Sequence, residues 1–128
     1  MAALSNYLRA ALLNATLRNT TYTSPATVYL ALYTSDPTAA DSGTEVSGGS
    51  YARQAVAFSP PSGGATDNSA QLDFPKATAD WGTITHFGVR DAASGGNLLF
   101  FGALAASKTI NTDDKLQVEA GSLDISLS

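Results

Sequence analysis

The sequence predicts a mainly β fold: an antiparallel β-sandwich or small barrel of about seven strands with one N-terminal α-helix. Three observations carry that expectation. Helical periodicity is confined to the first segment, "LSNYLRAALLNATLRN". Beyond Pro25 the chain breaks into short β-branched, aromatic or alternating runs, separated by stretches rich in Gly, Pro, Ser, Asp and Asn. Nowhere do strand and helix signals alternate as in a parallel α/β protein. The 128 residues fit a single domain over 1–128, with 1–24 as helix and connection and 25–128 as the β-sandwich. A chain of this length buries roughly two-thirds of its unfolded surface, enough for its own core.

The helix comes first. Leu4, Tyr7, Leu8, Ala11, Leu12 and Ala15 recur at spacings of three and four, which puts them on one face. Leu13 and Leu17 widen that stripe, while Arg9, Asn14 and Arg18 lie off it. Ser5 is placed to cap the start, and the Thr-rich "NTTYTSP" ends the helix near Asn19. Residues 27–34, "TVYLALYT", are apolar on both faces and read as a central strand. A long loop spans 35–50, a strand 51–58, a second long loop 59–69, and a short strand 70–74 that stops at Pro75. Trp81 plugs the entry end of the core. Residues 83–91 alternate, with Thr85, Phe87 and Val89 on the buried face and Ile84, His86 and Arg90 on the other. The "ASGG" turn leads into a returning strand at 97–104, and strands at 115–119 and 122–127 close the chain.

Composition narrows the function. Hydrophobic residues make up 44% and charged residues only 14%, which argues against disorder. Net charge is −4, and no two of the seven bases are adjacent. Nucleic-acid binding needs a basic cluster, so no nucleic-acid partner is expected. The absence of cysteine removes disulfides, thiolate zinc sites and a cysteine nucleophile. No apolar run approaches the roughly 18 residues of a membrane span, and the N-terminus lacks the pattern of a signal peptide. Synthesis in a cytoplasm, with no membrane association, is the expectation. Without export, the acceptor patterns "NAT" (14–16) and "NTT" (19–21) carry no weight.

Candidate chemistry is sparse. His86 is the only imidazole, but it lies mid-strand beside Phe87, and no G-x-S-x-G turn supplies a nucleophile. One histidine without thiolates is poor zinc chemistry. Asp113 and Asp114 lack the alternating ligands and closing Glu of a calcium loop. "SGGSYARQ" and "SPPSGGA" lack the lysine and following helix of a phosphate loop. Tyr22, Tyr29, Tyr33, Tyr51, Trp81 and Phe100–Phe101 are rings on which a sugar could stack, although such residues more often form core or interface. The residues point to no enzyme, no cofactor and no metal. Tyr7, Arg9, Tyr22, Tyr51, Arg53, His86 and Arg90 are the candidate protein-interface residues.

Four stretches occur in a familiar order. They are "LSNYLRAALLNATLRNTTYTSPATVYLALYTSDPT", "TEVSGGSYARQAVAF", "ATADWGTITHFGVRDAASGGNLLFFGAL" and "INTDDKLQVEAGSLDISL". Together they resemble a family of small virion structural proteins of tailed bacteriophages, often labelled tail fibre proteins. The resemblance covers nearly the whole chain. It implies a non-enzymatic, homo-oligomeric virion component, a trimer or a dimer, made in the host cytoplasm. A fibre shaft is normally elongated, with repeats or coiled coil, and this chain has neither. The expectation is therefore a capsid decoration, or cement, protein on the capsid surface, bound across neighbouring major capsid protein subunits. The helix, loop 35–50 and loop 59–69 are the expected contacts. The alternative is a tail fibre or baseplate module that binds host-surface carbohydrate and has tail or baseplate proteins as partners.

Overall fold

The structure, a computed structural model, describes residues 2–127. Among these are nine strands and one helix: β1 (Ala2–Leu4), α1 (Asn6–Leu17), β2 (Val28–Tyr33), β3 (Gln54–Val56), β4 (Ala65–Asp67), β5 (Leu72–Asp73), β6 (Gly82–Arg90), β7 (Leu98–Ile110), β8 (Gln117–Val118) and β9 (Asp124–Ser126). A five-stranded sheet in the order β1-β7-β6-β2-β3 is joined by two two-stranded sheets, β4-β9 and β5-β8. Every pairing is antiparallel. The mainly β expectation holds, but the sheets stay open and form no barrel.

The two extra strands lie where the sequence is locally silent. Ala2–Leu4 is too short to alternate, and β7 extends it by pairing Ala2 with Gly102 and Leu4 with Phe100. Ala65–Asp67 falls inside the expected loop 59–69 and becomes a strand only because β9 pairs with it. Pairing also resizes the elements. The strand expected at 51–58 keeps only Gln54–Val56, and the one expected at 97–104 runs on to Ile110 beside β6.

One core joins all three sheets. Leu30 and Leu32 of β2, Phe87 and Val89 of β6 and Val56 of β3 meet Leu72, Phe74, Leu116, Leu123 and Ile125 from the smaller sheets and their flanks. Trp81 is buried among them, as expected. The alternation expected along β6 breaks at Thr85. Ile84 pairs with Lys108 and His86 with Ala103, so the ladder is bulged there. That irregularity turns Ile84 into the core beside Phe87 and Val89, while Thr85 is only half-buried.

The other face of the large sheet is also buried near the start of the helix. Ala31, Tyr33, Gly88 and Leu98 pack there with almost no exposure. Ser5 ties α1 to this face. Its N–H donates to the Leu99 carbonyl at 2.9 Å, its hydroxyl donates to the Leu98 carbonyl, and its Oγ accepts from the Leu8 N–H at 3.1 Å as the N-cap. At the far end Asn19 adopts a left-handed φ of 54°, and the Thr20 N–H closes on the Asn14 carbonyl. Of the expected apolar stripe, only Leu8 is fully buried, while Leu13 and Leu17 face solvent.

Gly88 marks the tightest point of this second face. A Cβ there would come within 2.8 Å of both Leu98 Cδ1 and Tyr33 Cε1. Gly88→Ala should therefore lower unfolding free energy by about 1–3 kcal/mol through overpacking. Urea denaturation monitored by Trp81 fluorescence reads the shift.

Candidate functional site

The most elaborate polar arrangement is built by two arginines and the loop 35–50. Arg53, just before β3, and Arg90, the last residue of β6, both turn their guanidiniums into this loop. Arg53 Nε and Nη2 donate to the Glu45 carboxylate at 2.8 and 2.7 Å. Arg90 Nη1 and Nη2 donate to the Asp41 carboxylate at 2.7 and 2.9 Å. Both are two-pronged pairs, the strongest geometry for guanidinium and carboxylate. The arginine side chains are only 9% and 8% exposed.

The remaining N–H groups are taken up by the β6–β7 turn. Arg53 Nη1 donates to the Ala92 and Gly95 carbonyls at 2.9 Å each, and Arg90 Nη2 to the Gly96 carbonyl at 3.0 Å. Arg90 Nη1 also donates to the Tyr33 hydroxyl at 2.9 Å. The turn is shaped to offer these carbonyls: Gly95 and Gly96 have φ of 63° and 68°, and Asp91 accepts from the Asn97 N–H at 2.7 Å. Two loops distant in sequence are thereby fastened to the sheet and to each other.

A tyrosine completes the network. The Tyr51 hydroxyl donates to Glu45 at 2.7 Å and accepts from the Leu32 N–H at 3.0 Å. Its ring lies against Phe74 and Trp81, with centroids 6.3 and 5.5 Å away. The Trp81 indole donates to the Gly49 carbonyl at 2.8 Å, which pins the far end of the loop. Burial alone would raise the Glu45 carboxyl, but the hydrogen bonds from Arg53 and Tyr51 outweigh it and hold the group below its ordinary range. Burial, together with the bond to Glu45, pushes the Tyr51 phenol far above its ordinary range.

The expected interface residues divide into three groups. Tyr51, Arg53 and Arg90 form this clamp inside the molecule. Tyr7 and Arg9 are exposed on α1, and Tyr22 is half-buried beside them. His86 is half-buried within β6, paired with Tyr33, with Nδ1 2.8 Å from the Thr85 hydroxyl and Nε2 4.0 Å from Asp36 at the start of loop 35–50. The arginines' partners, Asp41 and Glu45, were not singled out from the sequence. Their only local signal is that they are acids in a long loop. Among the described residues, no three His, Asp or Glu side chains gather as a metal site requires. No helix there is long and apolar enough to cross a membrane. Of the rings on which a sugar could stack, Tyr33 and Trp81 are buried and Tyr51 is half-buried under its loop.

The fold and the site define an open, antiparallel β domain with one N-terminal helix and a loop face clamped by two arginines. The particular family follows from comparison: the family described as Podophage GP4 fiber I protein gp80 matches residues 3–126, and the chain belongs to it. The protein is thus a bacteriophage structural protein of fibre type and a component of the virion. No curated protein matches the chain.

The clamp generates two predictions. Arg90→Leu should cost about 3 kcal/mol, because it leaves Asp41, Tyr33 and the Gly96 carbonyl without their donor. Lys76→Ala breaks only an exposed 3.8 Å pair with Asp113 and should stay within about 0.5 kcal/mol. Urea denaturation at neutral pH compares the two. The second concerns acid. Glu45 binds its proton less readily when folded, so its contribution is fully present above the ordinary value of 4.5 and lost as pH falls below it. Thermal melts from pH 7 to pH 3 should show a fall in midpoint that Glu45→Gln makes shallower, with the variant already less stable at pH 7.

Proposed function

We propose that the protein works without catalysis, as a homo-oligomeric structural module of a fibre-type virion appendage. The family match over residues 3–126 carries this reading. The clamp supports it, since Arg53, Arg90, Glu45 and Asp41 hold one another and carbonyl groups in place rather than facing a cleft. His86 supports it too, because Nδ1 meets a neighbouring threonine hydroxyl in a strand and not a nucleophile at a turn. A rigid loop face is what an assembly contact needs, since little conformational entropy is then lost on binding. The domain acts as the globular unit of such an appendage, with tail or baseplate proteins as neighbours.

Capsid decoration is the second reading, and the compact build favours it. The chain has no repeat or heptad to form a shaft, and its strands fold around one core. In that role the protein binds across major capsid protein subunits and stabilises the assembled lattice over separate subunits. Many symmetric copies of a modest contact then add through avidity.

Location and copy number separate the two. Immunogold labelling or cryo-EM of virions, with mass-spectrometric stoichiometry, should find few copies, at the tail. A dense, regular coat over the head would overturn the fibre reading in favour of decoration.

A further inference from the structure

The five-stranded sheet has one long free edge. Its end strands, β1 and β3, are three residues each. β7 is thirteen residues long, and β1 pairs only with its Phe100, Phe101 and Gly102. From Ala103 to Thr109 the outer edge of β7 is therefore open. Among the described residues, only β6 bonds to the backbone of this stretch. The chain returns past it at 114–118, but there it bonds to Phe74, Ala77 and β5 instead. All of 103–109 is exposed except half-buried Leu104.

That edge has the composition of a strand that recruits others. Residues 98–110 read "LLFFGALAASKTI", with no proline and with Lys108 as the only charge. A long apolar strand with unpaired N–H and C=O groups is a template for a second strand. Two features of β7 oppose this. The first is an arch. β7 takes five steps from Ala103 to Lys108 while β6 takes two from His86 to Ile84, so three extra residues leave the ladder. An added strand cannot keep its register across them. The second is where Lys108 stands. It lies directly opposite Ile84, and residues so paired share a face. Ile84 is fully buried in the core. Lys108 is thus on the core side at the margin of the sheet, where it lines a cleft with Leu30, Leu32 and Phe87. Its ammonium stays in water as long as no strand lies beyond it.

We propose that Lys108 and the arch close this edge to strand addition by other copies of the chain. A strand added here extends the apolar face past Lys108 and buries an ammonium, which is unfavourable without a partner. A charge of either sign serves, because the cost is desolvation and not the loss of a particular ion pair. The inference goes beyond the proposed function and does not depend on it. Wherever copies of the protein meet, the contact lies off this edge.

Isolated protein tests it. Lys108→Val should make the apparent mass in sedimentation velocity climb with concentration above that of the wild type, and should raise thioflavin T fluorescence about tenfold. Lys108→Glu should match the wild type in both. Deleting Ala105 and Ala106 together with Lys108→Val should bring association to lower concentration still; an even number of residues is removed, so position 108 keeps its face. Far-UV circular dichroism of the two point variants at low concentration should be that of the wild type, since the Lys108 side chain is exposed. In the wild type, hydrogen exchange of the 103–109 amides should be the same at low and high micromolar concentration. A Lys108→Val protein that keeps the wild-type mass overturns the proposal. So does association of Lys108→Glu as strong as that of Lys108→Val, or protection of the wild-type 103–109 amides as concentration rises. A deletion that adds nothing to Lys108→Val overturns the part given to the arch.

Discussion

Two buried guanidiniums decide how the irregular half of this protein is held. A loop of sixteen residues without regular structure normally costs order and gains little, because its backbone groups find partners only in water. Here Arg53 and Arg90 reach that loop from the sheet through two-pronged pairs to Glu45 and Asp41. Their spare donors close on the carbonyls of the β6–β7 turn. Desolvating a guanidinium is expensive, and the cost is met only where nearly every donor is satisfied and the partner is a carboxylate. The arrangement is therefore all or none: remove one carboxylate and a buried cation is left with only neutral acceptors, the turn carbonyls and, for Arg90, the Tyr33 hydroxyl.

The same constraint gives the molecule a stiff end. Loop 35–50 also receives the start of the helix, since the Ala39 carbonyl accepts from the Asn6 N–H at 2.8 Å. Sheet, loop, turn and helix start thus form one fastened body. Beyond Leu8 the outer face of the helix carries exposed Leu13 and Leu17, and the helix and its C-cap hold the only charged side chains of the first 35 residues, Arg9 and Arg18.

Much of the fold was legible from local pattern. The helix boundaries, the Ser5 cap, the Asn19 stop, the central strand and the β6–β7 hairpin all rest on spacing within a few residues. β1 and β4 were not legible, because three residues carry no period and become strands only through partners far along the chain. Thr85 misled for a related reason. Strict alternation buries it, but a bulge set by the partner strand moves Ile84 into its place. Arg53 and Arg90 were singled out as contact residues from their chemistry alone. That Arg90 holds Asp41 depends on a separation of forty-nine residues, which no local window spans; Glu45 is only eight residues from Arg53, but a loop has no period to show that the two side chains meet.

The sequence by itself determined the class of fold and the place of the helix, because propensity and periodicity are local properties. Its four ordered stretches also pointed to the virion family that the match over residues 3–126 establishes. Tertiary structure alone decided which polar residues are clamped inside and which apolar residues are left outside. Arginine and leucine carry no mark of burial in themselves. What decides is whether a carboxylate or an apolar wall arrives from elsewhere in the chain, and for Leu13 and Leu17 the chain's own fold supplies none.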